Sequence, residues 1–295
     1  MKIMIVNIEG YPNLALEKIA LWHENQGDEV IRDFPLMAHL CDKIYVSSIF
    51  DWNKHKLGEW QDRGAEIGGS GVDLKKILPP EIEAMKPKLN FGFTARGCPR
   101  KCLFCIVPQK EGKFRVVGDL LDLWDGEGKK VILLDNNILA DPCHFSKICR
   151  QAVKHNLEID FNQGLDHRLL TADICKELLA LRGRKRFRFA LDSPSQIETA
   201  EQAIRLLDEH RIKENLWYVL VGYDTTFQED LDRLDFLKSH NQRVFVQRFR
   251  KCTGIYTALA RWANQHHIFQ KMTFEQFLEV PREKKYKEMY EKIAQ

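Results

Sequence analysis

Three of the eight cysteines crowd between positions 98 and 105, in Gly97-Cys98-Pro99-Arg100-Lys101-Cys102-Leu103-Phe104-Cys105, a C-x3-C-x2-C spacing. Thiolates are soft ligands that select zinc or iron-sulfur clusters over hard cations. Three of them on one tight loop fill three coordination positions and leave a fourth. A structural zinc ion normally takes four protein ligands, and Cys143 or His144 is available as the fourth; a cluster can leave that position open. Further polar residues follow predicted strands: Asp135-Asn136-Asn137, then Gln163, Asp166 and Arg168, then Asp192-Ser193. Each segment either faces a ligand or closes a turn, because Asp, Asn and Ser readily bond nearby backbone.

The cysteine spacing, with the aromatic Phe104 before the last cysteine, resembles the signature of the radical S-adenosylmethionine superfamily. The resemblance implies a [4Fe-4S] cluster on the metal ligands Cys98, Cys102 and Cys105, whose fourth iron chelates S-adenosylmethionine. It also implies one-electron cleavage of that cofactor to methionine and a 5'-deoxyadenosyl radical, which takes hydrogen from a substrate, while the protein positions both. The similarity extends in order over residues 89–250. Asp135, Asn136 and Asn137 stand where the family has a Gly-Gly-Glu-like turn for the methionine amino group, although the glycines are missing here. Gln163, Asp166 and Arg168 lie in a stretch that faces cofactor or substrate in many members, and Asp192 and Ser193 match a ribose- or carboxylate-contacting segment. Gly222-Tyr223-Asp224-Thr225-Thr226 is similar to a degenerate Gly-x-Pro-Gly-Glu-Thr turn. The implied partners are a small electron donor such as flavodoxin or ferredoxin and a nucleoside, peptide or small-metabolite substrate, among which the fold does not choose.

Ahead of this region, Ile67-Gly68-Gly69-Ser70-Gly71 ends a short α/β unit that is similar to the cobalamin-binding domain of radical methylases. Glycines there would let a flat cofactor approach the backbone. The Asp-x-His-x-x-Gly motif is absent, and the reading adopted is a cofactor-free unit that caps the barrel or helps to form a substrate pocket through Gly68, Gly69, Ser70 and Gly71. A cobalamin-dependent radical methyltransferase is the alternative enzyme. A zinc-stabilised binding module is the alternative from a different class.

The elements that must position these residues follow from pattern. Lys2–Asn7, Glu29–Asp33, Lys43–Ser48 and Glu66-Ile67 read as strands, with a helix from Leu14 that Gly27 ends. The three prolines between Leu78 and Lys88 suit a linker, which places a boundary near residue 87. Leu89–Thr94, Lys130–Leu134, Glu158–Phe161, Arg186–Leu191, Trp217–Val221 and Arg243–Phe249 read as strands, with helical patterns at 114–124, 142–155, 171–181, 195–210 and 227–239. The predicted fold class is therefore α/β: a small Rossmann-like domain over 1–87, a partial (β/α)6 TIM-type barrel over 88–250 and a helical extension over 251–295, with charged helices on the outside from Met272.

Composition agrees with an ordinary globular chain: 295 residues, net charge +3, 44% hydrophobic and 29% charged residues, which excludes fibrous and largely disordered classes. No apolar run reaches the roughly 20 residues that span a bilayer, so the expected location is the cytoplasm, without a membrane partner. Cys149 and Cys175 fall in helical patterns as core residues, Cys41 and Cys143 flank turns, and Cys252 is a possible further thiol. Arg182-Gly183-Arg184-Lys185-Arg186 reads as a solvated basic run, and His266 and His267 as surface residues.

Overall fold

A computed structural model describes residues 1–250 and 252–293. Its amino-terminal sheet is built from β1 (Lys2–Asn7), β2 (Glu29–Arg32), β3 (Lys43–Ser47) and β4 (Glu66–Gly68), all parallel in the order β2-β1-β3-β4. Helix α1 (Leu14–Asn25) starts where the Asn13 side chain accepts from the Ala15 and Leu16 N–H groups. Alternation along β1 feeds two apolar layers: Ile3 and Ile5 pack with Leu16 and Ile19 of α1, while Met4 and Val6 pack with Val46 and with Trp60 of α2 (Gly58–Asp62). The proline-rich segment is not a bare linker. It contains a helical turn, α3 (Pro80–Glu83), whose Ile82 is buried against α1.

The next strand is shorter than its pattern predicts. β5 is only Phe91–Gly92, after which β6 (Ala95–Arg96) turns to pair antiparallel with β7 (Arg115–Val116), beyond the cysteine loop and α4 (Val107–Lys110). The helix predicted over 114–124 is therefore corrected to a strand followed by α5 (Leu120–Leu123). Asp119 caps that helix in a reciprocal capping box with Asp122, so the helix cannot begin earlier. From there strands and helices alternate: β8 (Lys130–Leu133), α6 (Pro142–Lys154), β9 (Glu158–Phe161), α7 (Ala172–Ala180), β10 (Arg188–Ala190), α8 (Ile197–Glu209), β11 (Leu216–Val221), α9 (Phe227–Ser239) and β12 (Arg243–Arg248).

These strands form two parallel sheets, β5-β8-β9 and β10-β11-β12, rather than one continuous six-stranded sheet. A hydrogen bond from the Leu165 N–H to the Arg188 carbonyl, 2.7 Å, links the segment after β9 to β10. Val131 and Leu133 join Phe145 and Ile148 of α6 in the large core, and Ile132 faces the other way. The same core takes in Phe274, Phe277 and Leu278 of α12 (Phe274–Leu278), which follows α10 (Ile255–Ala263) and α11 (His266–Lys271). The tail is thus anchored by buried aromatic rings before α13 (Lys287–Ile293), and is not simply laid on the outside. Among the described residues no helix is long and apolar enough to cross a membrane.

Candidate functional site

The cysteine loop leaves β6 through Gly97, whose φ of +80° and whose missing Cβ are both required: a Cβ there would lie 2.3 Å from the Lys113 carbonyl oxygen. The Gly97 N–H donates to Asn136 Oδ1 at 2.9 Å, which ties the start of the loop to the turn after β8. Cys98 Sγ accepts from the Arg100 N–H at 3.4 Å and from Asn137 Nδ2 at 3.6 Å, and Cys105 Sγ accepts from the Val107 N–H at 3.5 Å. All three cysteines are free and half-buried. Burial, reinforced by the neighbouring cysteines, pushes the Cys102 and Cys105 thiols up, while Arg168 pulls Cys102 back. A bound cation would reverse that balance and favour the thiolates. Among the described residues no group of three or more His, Cys, Asp or Glu side chains is arranged to hold a metal ion as it stands.

Around the loop, the segment after β9 supplies a carboxylate held by two guanidinium groups. Asp166 Oδ2 accepts from Arg100 Nε at 2.8 Å and from Asn137 Nδ2 at 3.1 Å, and its Oδ1 accepts from Arg168 Nε at 2.7 Å. Burial alone would push Asp166 up, but Arg168 and Arg100 outweigh it and hold the carboxyl below the usual range. Asn137 Oδ1 is buried and has no hydrogen-bond partner, although the Nδ2 of the same side chain reaches Cys98 Sγ. An unpaired buried acceptor is costly, and it suits a ligand N–H.

The other predicted residues have distinct surroundings. Asp135 is 4% exposed, and its carboxylate accepts from the Thr94 N–H at 2.7 Å and the Thr94 hydroxyl at 2.5 Å. Burial pushes it up to about 6. His144 Nε2 is 3.0 Å from the same hydroxyl, which makes this group a brace behind the loop. Asp192 accepts from the Leu220 N–H at 3.1 Å, and burial pushes its carboxyl up; its charge reaches Cys102 and Cys105. Ser193 bonds Ser195 at 2.8 Å, and Gln163 is exposed. Phe104 packs edge-on against Tyr223, and Tyr223 against Phe249, with ring centroids 5.4 and 4.6 Å apart.

The turn at Gly68, Gly69, Ser70 and Gly71 is folded onto its own chain. A Cβ at Gly69 would lie 2.2 Å from the Ser48 carbonyl oxygen, and one at Gly71 2.4 Å from the Phe50 carbonyl carbon. Gly69 and Gly71 are required by that internal contact, whereas a Cβ at Gly68 would meet only the Lys76 side chain at 3.7 Å. Ser70 accepts from Lys110 Nζ, which brings the turn beside α4 and the cysteine loop. Arg100 and Thr94 were not anticipated as partners of the site, and His144, considered as a fourth ligand to a zinc ion, instead bonds the Thr94 hydroxyl. Arg100 lies inside the cysteine motif, which is a signal; nothing local marks Thr94. Equally unmarked is a fully buried ion pair on α9, Asp230 with Arg233, which holds the Leu191 and Leu220 carbonyls and the Gly222 N–H at the ends of β10 and β11.

No protein-family model matches this chain. Over 89 residues, 30% of its length, it is 28% identical to the ribosomal protein uS12 methylthiotransferase RimO of Desulforudis audaxviator (strain MP104C). The match spans 19% of that protein's length. This short, low-identity similarity points to a radical S-adenosylmethionine relationship and to an enzyme, and to nothing finer.

Proposed function

We propose that this chain is a radical S-adenosylmethionine enzyme that holds a [4Fe-4S] cluster on Cys98, Cys102 and Cys105 and abstracts hydrogen from a substrate. The observation that carries the reading is the placement of three half-buried thiols on one loop, two of them receiving backbone N–H groups, beside the unpartnered acceptor Asn137 Oδ1. The donor set fits: three soft ligands leave one position open. When bound, the cluster supplies one electron to S-adenosylmethionine and so gives access to radical chemistry.

The protein's own work in this reading is positional. Gly97 and Asn136 fix the start of the loop, and the Arg100–Asp166 pair ties its middle to the end of β9. Asn137 would hold the cofactor's amino group, and Asp192, Ser193 and Arg168 would bind the rest of it. Phe104 and Tyr223 keep water from one side. The two parallel sheets form the halves of a partial barrel, and a division near residue 87 separates it from the amino-terminal unit. A small one-electron donor, such as a flavodoxin or ferredoxin, supplies the electron in the cytoplasm. The amino-terminal unit acts in this reading as a cofactor-free cap, since Gly69 and Gly71 serve the packing of their own turn.

Anaerobic reconstitution tests the reading. Iron and sulfide should approach four of each per chain, and reductant with S-adenosylmethionine should yield 5'-deoxyadenosine that disappears in Cys102→Ala. One zinc ion and no iron, or undiminished product from Cys102→Ala, would refute it.

A further inference from the structure

Basic charge is concentrated on and beside the cysteine loop. Residues 51–56 and 97–117 together carry seven Lys and Arg against two acids, Asp51 and Glu111, a net +5, whereas the whole chain is only +3. Three of the seven are occupied: Arg100 by Asp166, Arg115 by Glu111 and Lys110 by Ser70. The other four, Lys54, Lys56, Lys101 and Lys113, are exposed, with no carboxylate at ion-pair distance among the described residues. Clustered cations without an internal partner raise the local potential and attract a polyanion.

An aromatic platform stands among these cations. Phe50 and Trp52 stack with ring centroids 4.4 Å apart and planes 10° from parallel, yet Trp52 is 67% exposed, so the ring face away from Phe50 is open. The platform is rigid, because Glu9 Oε1 accepts from the Ser48 hydroxyl at 2.8 Å, the Phe50 N–H at 3.3 Å and Asn53 Nδ2 at 3.2 Å, and so pins the turn that carries both rings. A short path joins it to the cysteine loop. Phe50 packs on Gly71, and the adjacent Ser70 accepts from Lys110, at the end of the α4 turn that follows Cys105. From Cys105 to Lys110 the chain advances only about 8 Å at the helical rise. On the loop itself, Leu103 is 88% exposed between Cys102 and Cys105 and offers an apolar contact beside the thiols. An open π face next to unpaired lysines is the combination that holds single strands: the cations track the phosphates, and any base stacks on the ring. An acidic protein would use the lysines and leave the Trp52 face without a planar partner, while an uncharged aromatic metabolite would use the ring and ignore the lysines.

We infer that the partner of the cysteine loop is a single-stranded nucleic acid, with a base stacked on Trp52 and phosphates on Lys54, Lys56, Lys101 and Lys113. This names the substrate class of the site proposed above and rests on that reading for its use, but the binding itself needs no cluster. Fluorescence anisotropy on the full chain tests it, with end-labelled oligouridylate and oligothymidylate of about 12 nucleotides, a length inside the roughly 4–16 that single-strand sites cover. At least one should bind saturably, and the tighter of the two identifies ribose or deoxyribose. Four phosphate contacts at about 0.7 each give a slope near −2.8 in log affinity against log salt, so binding should weaken roughly 50-fold between about 50 and 200 mM salt. Lys101→Ala/Lys113→Ala should flatten that slope by about 1.4. Trp52→Ala should weaken binding at least about five-fold at an unchanged slope, and Trp52→Tyr should restore most of it, since stacking needs a ring. A duplex of the same length, whose bases are already stacked on each other, should bind at least about five-fold more weakly than the single strand. Absence of binding at about 50 mM salt, equal affinity for duplex and single strand, or binding indifferent to Trp52→Ala would overturn the inference. So would oligoglutamate of equal charge binding as tightly as the strand, because that assigns the surface to an acidic protein. A chain that forms 5'-deoxyadenosine and binds neither oligonucleotide would sink this inference and leave the radical reading standing; oligonucleotide binding by a chain that takes up zinc and no iron would do the reverse.

Discussion

Replacing Arg233 by Met tests how the ends of β10 and β11 are held. Asp230 and Arg233 are both 0% exposed, three residues apart on α9, and they are bonded to each other. The guanidinium also donates to the Leu191 carbonyl at 2.6 Å and the Leu220 carbonyl at 2.8 Å, while Asp230 accepts from the Gly222 N–H and the Thr225 hydroxyl at 2.8 and 2.7 Å. Methionine fills similar volume but leaves the Asp230 carboxylate buried without a cation. Removing one partner of a buried pair costs about 3–5 kcal/mol, because the other charge is left uncompensated. At roughly 2–4 °C per kcal/mol for chains of this size class, Tm should fall by about 6 °C or more. The assays are thermal unfolding for Tm and urea unfolding for the free energy, both followed by fluorescence, with the buried Trp217 on β11 as a nearby reporter. The double variant Asp230→Leu/Arg233→Met removes both charges, so it should lose less than the sum of the two single losses by about 2 kcal/mol. Additive losses, or a loss below about 1 kcal/mol for Arg233→Met, would refute the claim that this pair is a desolvated unit.

Three further outcomes follow from the same structure. His167 is 4% exposed, and burial lowers its pKa to about 4, so the fold keeps the ring neutral and favours the native state fully above the ordinary pKa of 6.5; that contribution is lost as pH falls from 6.5 towards 4, by at most about 3 kcal/mol. Urea midpoints measured between pH 7 and 4.5 should drop less steeply for His167→Gln than for the unaltered chain, and parallel curves would contradict this. Gly69→Ala should lower stability by about 1–3 kcal/mol, because its φ of +102° strains a side chain and the Cβ meets the Ser48 carbonyl; an unchanged Tm would show that the turn can open. Asp166→Ala frees Arg100 from the end of β9, and iron retained after anaerobic reconstitution should fall to less than half of the unaltered level; full retention would mean that the loop is held by other contacts.

Much of the architecture was legible in local pattern. β1, α1, β3, β8, β9, α6 and α9 lie within a residue or two of their expected bounds, since each carries an alternating or 3.6-residue apolar period with a cap or breaker at its end. The hairpin of β6 and β7 was not legible. Two-residue strands are too short for a period, and Arg115-Val116 reads as helix until Gly118 and the Asp119 cap are placed. The proline-rich segment likewise gives no local sign that Ile82 docks on α1. In the tail, charged residues masked the apolar triplet Phe274, Phe277 and Leu278, which is buried because its spacing brings the three onto one side of α12.

At the candidate site, the sequence by itself determined the donor chemistry: three thiols at fixed spacing, Asn136 and Asn137 after one strand, Asp166 and Arg168 after the next. Residue types and short spacings are local properties, and they decide which ligands are available. Only the tertiary structure decided that Asp166 is clamped by Arg100, that Asp135 turns inward to Thr94, that Gly69 and Gly71 meet their own backbone, and that Asn137 Oδ1 is buried without a partner beside Cys98. Those outcomes depend on which segments become neighbours across tens of residues, and that is set by the packing of whole apolar faces.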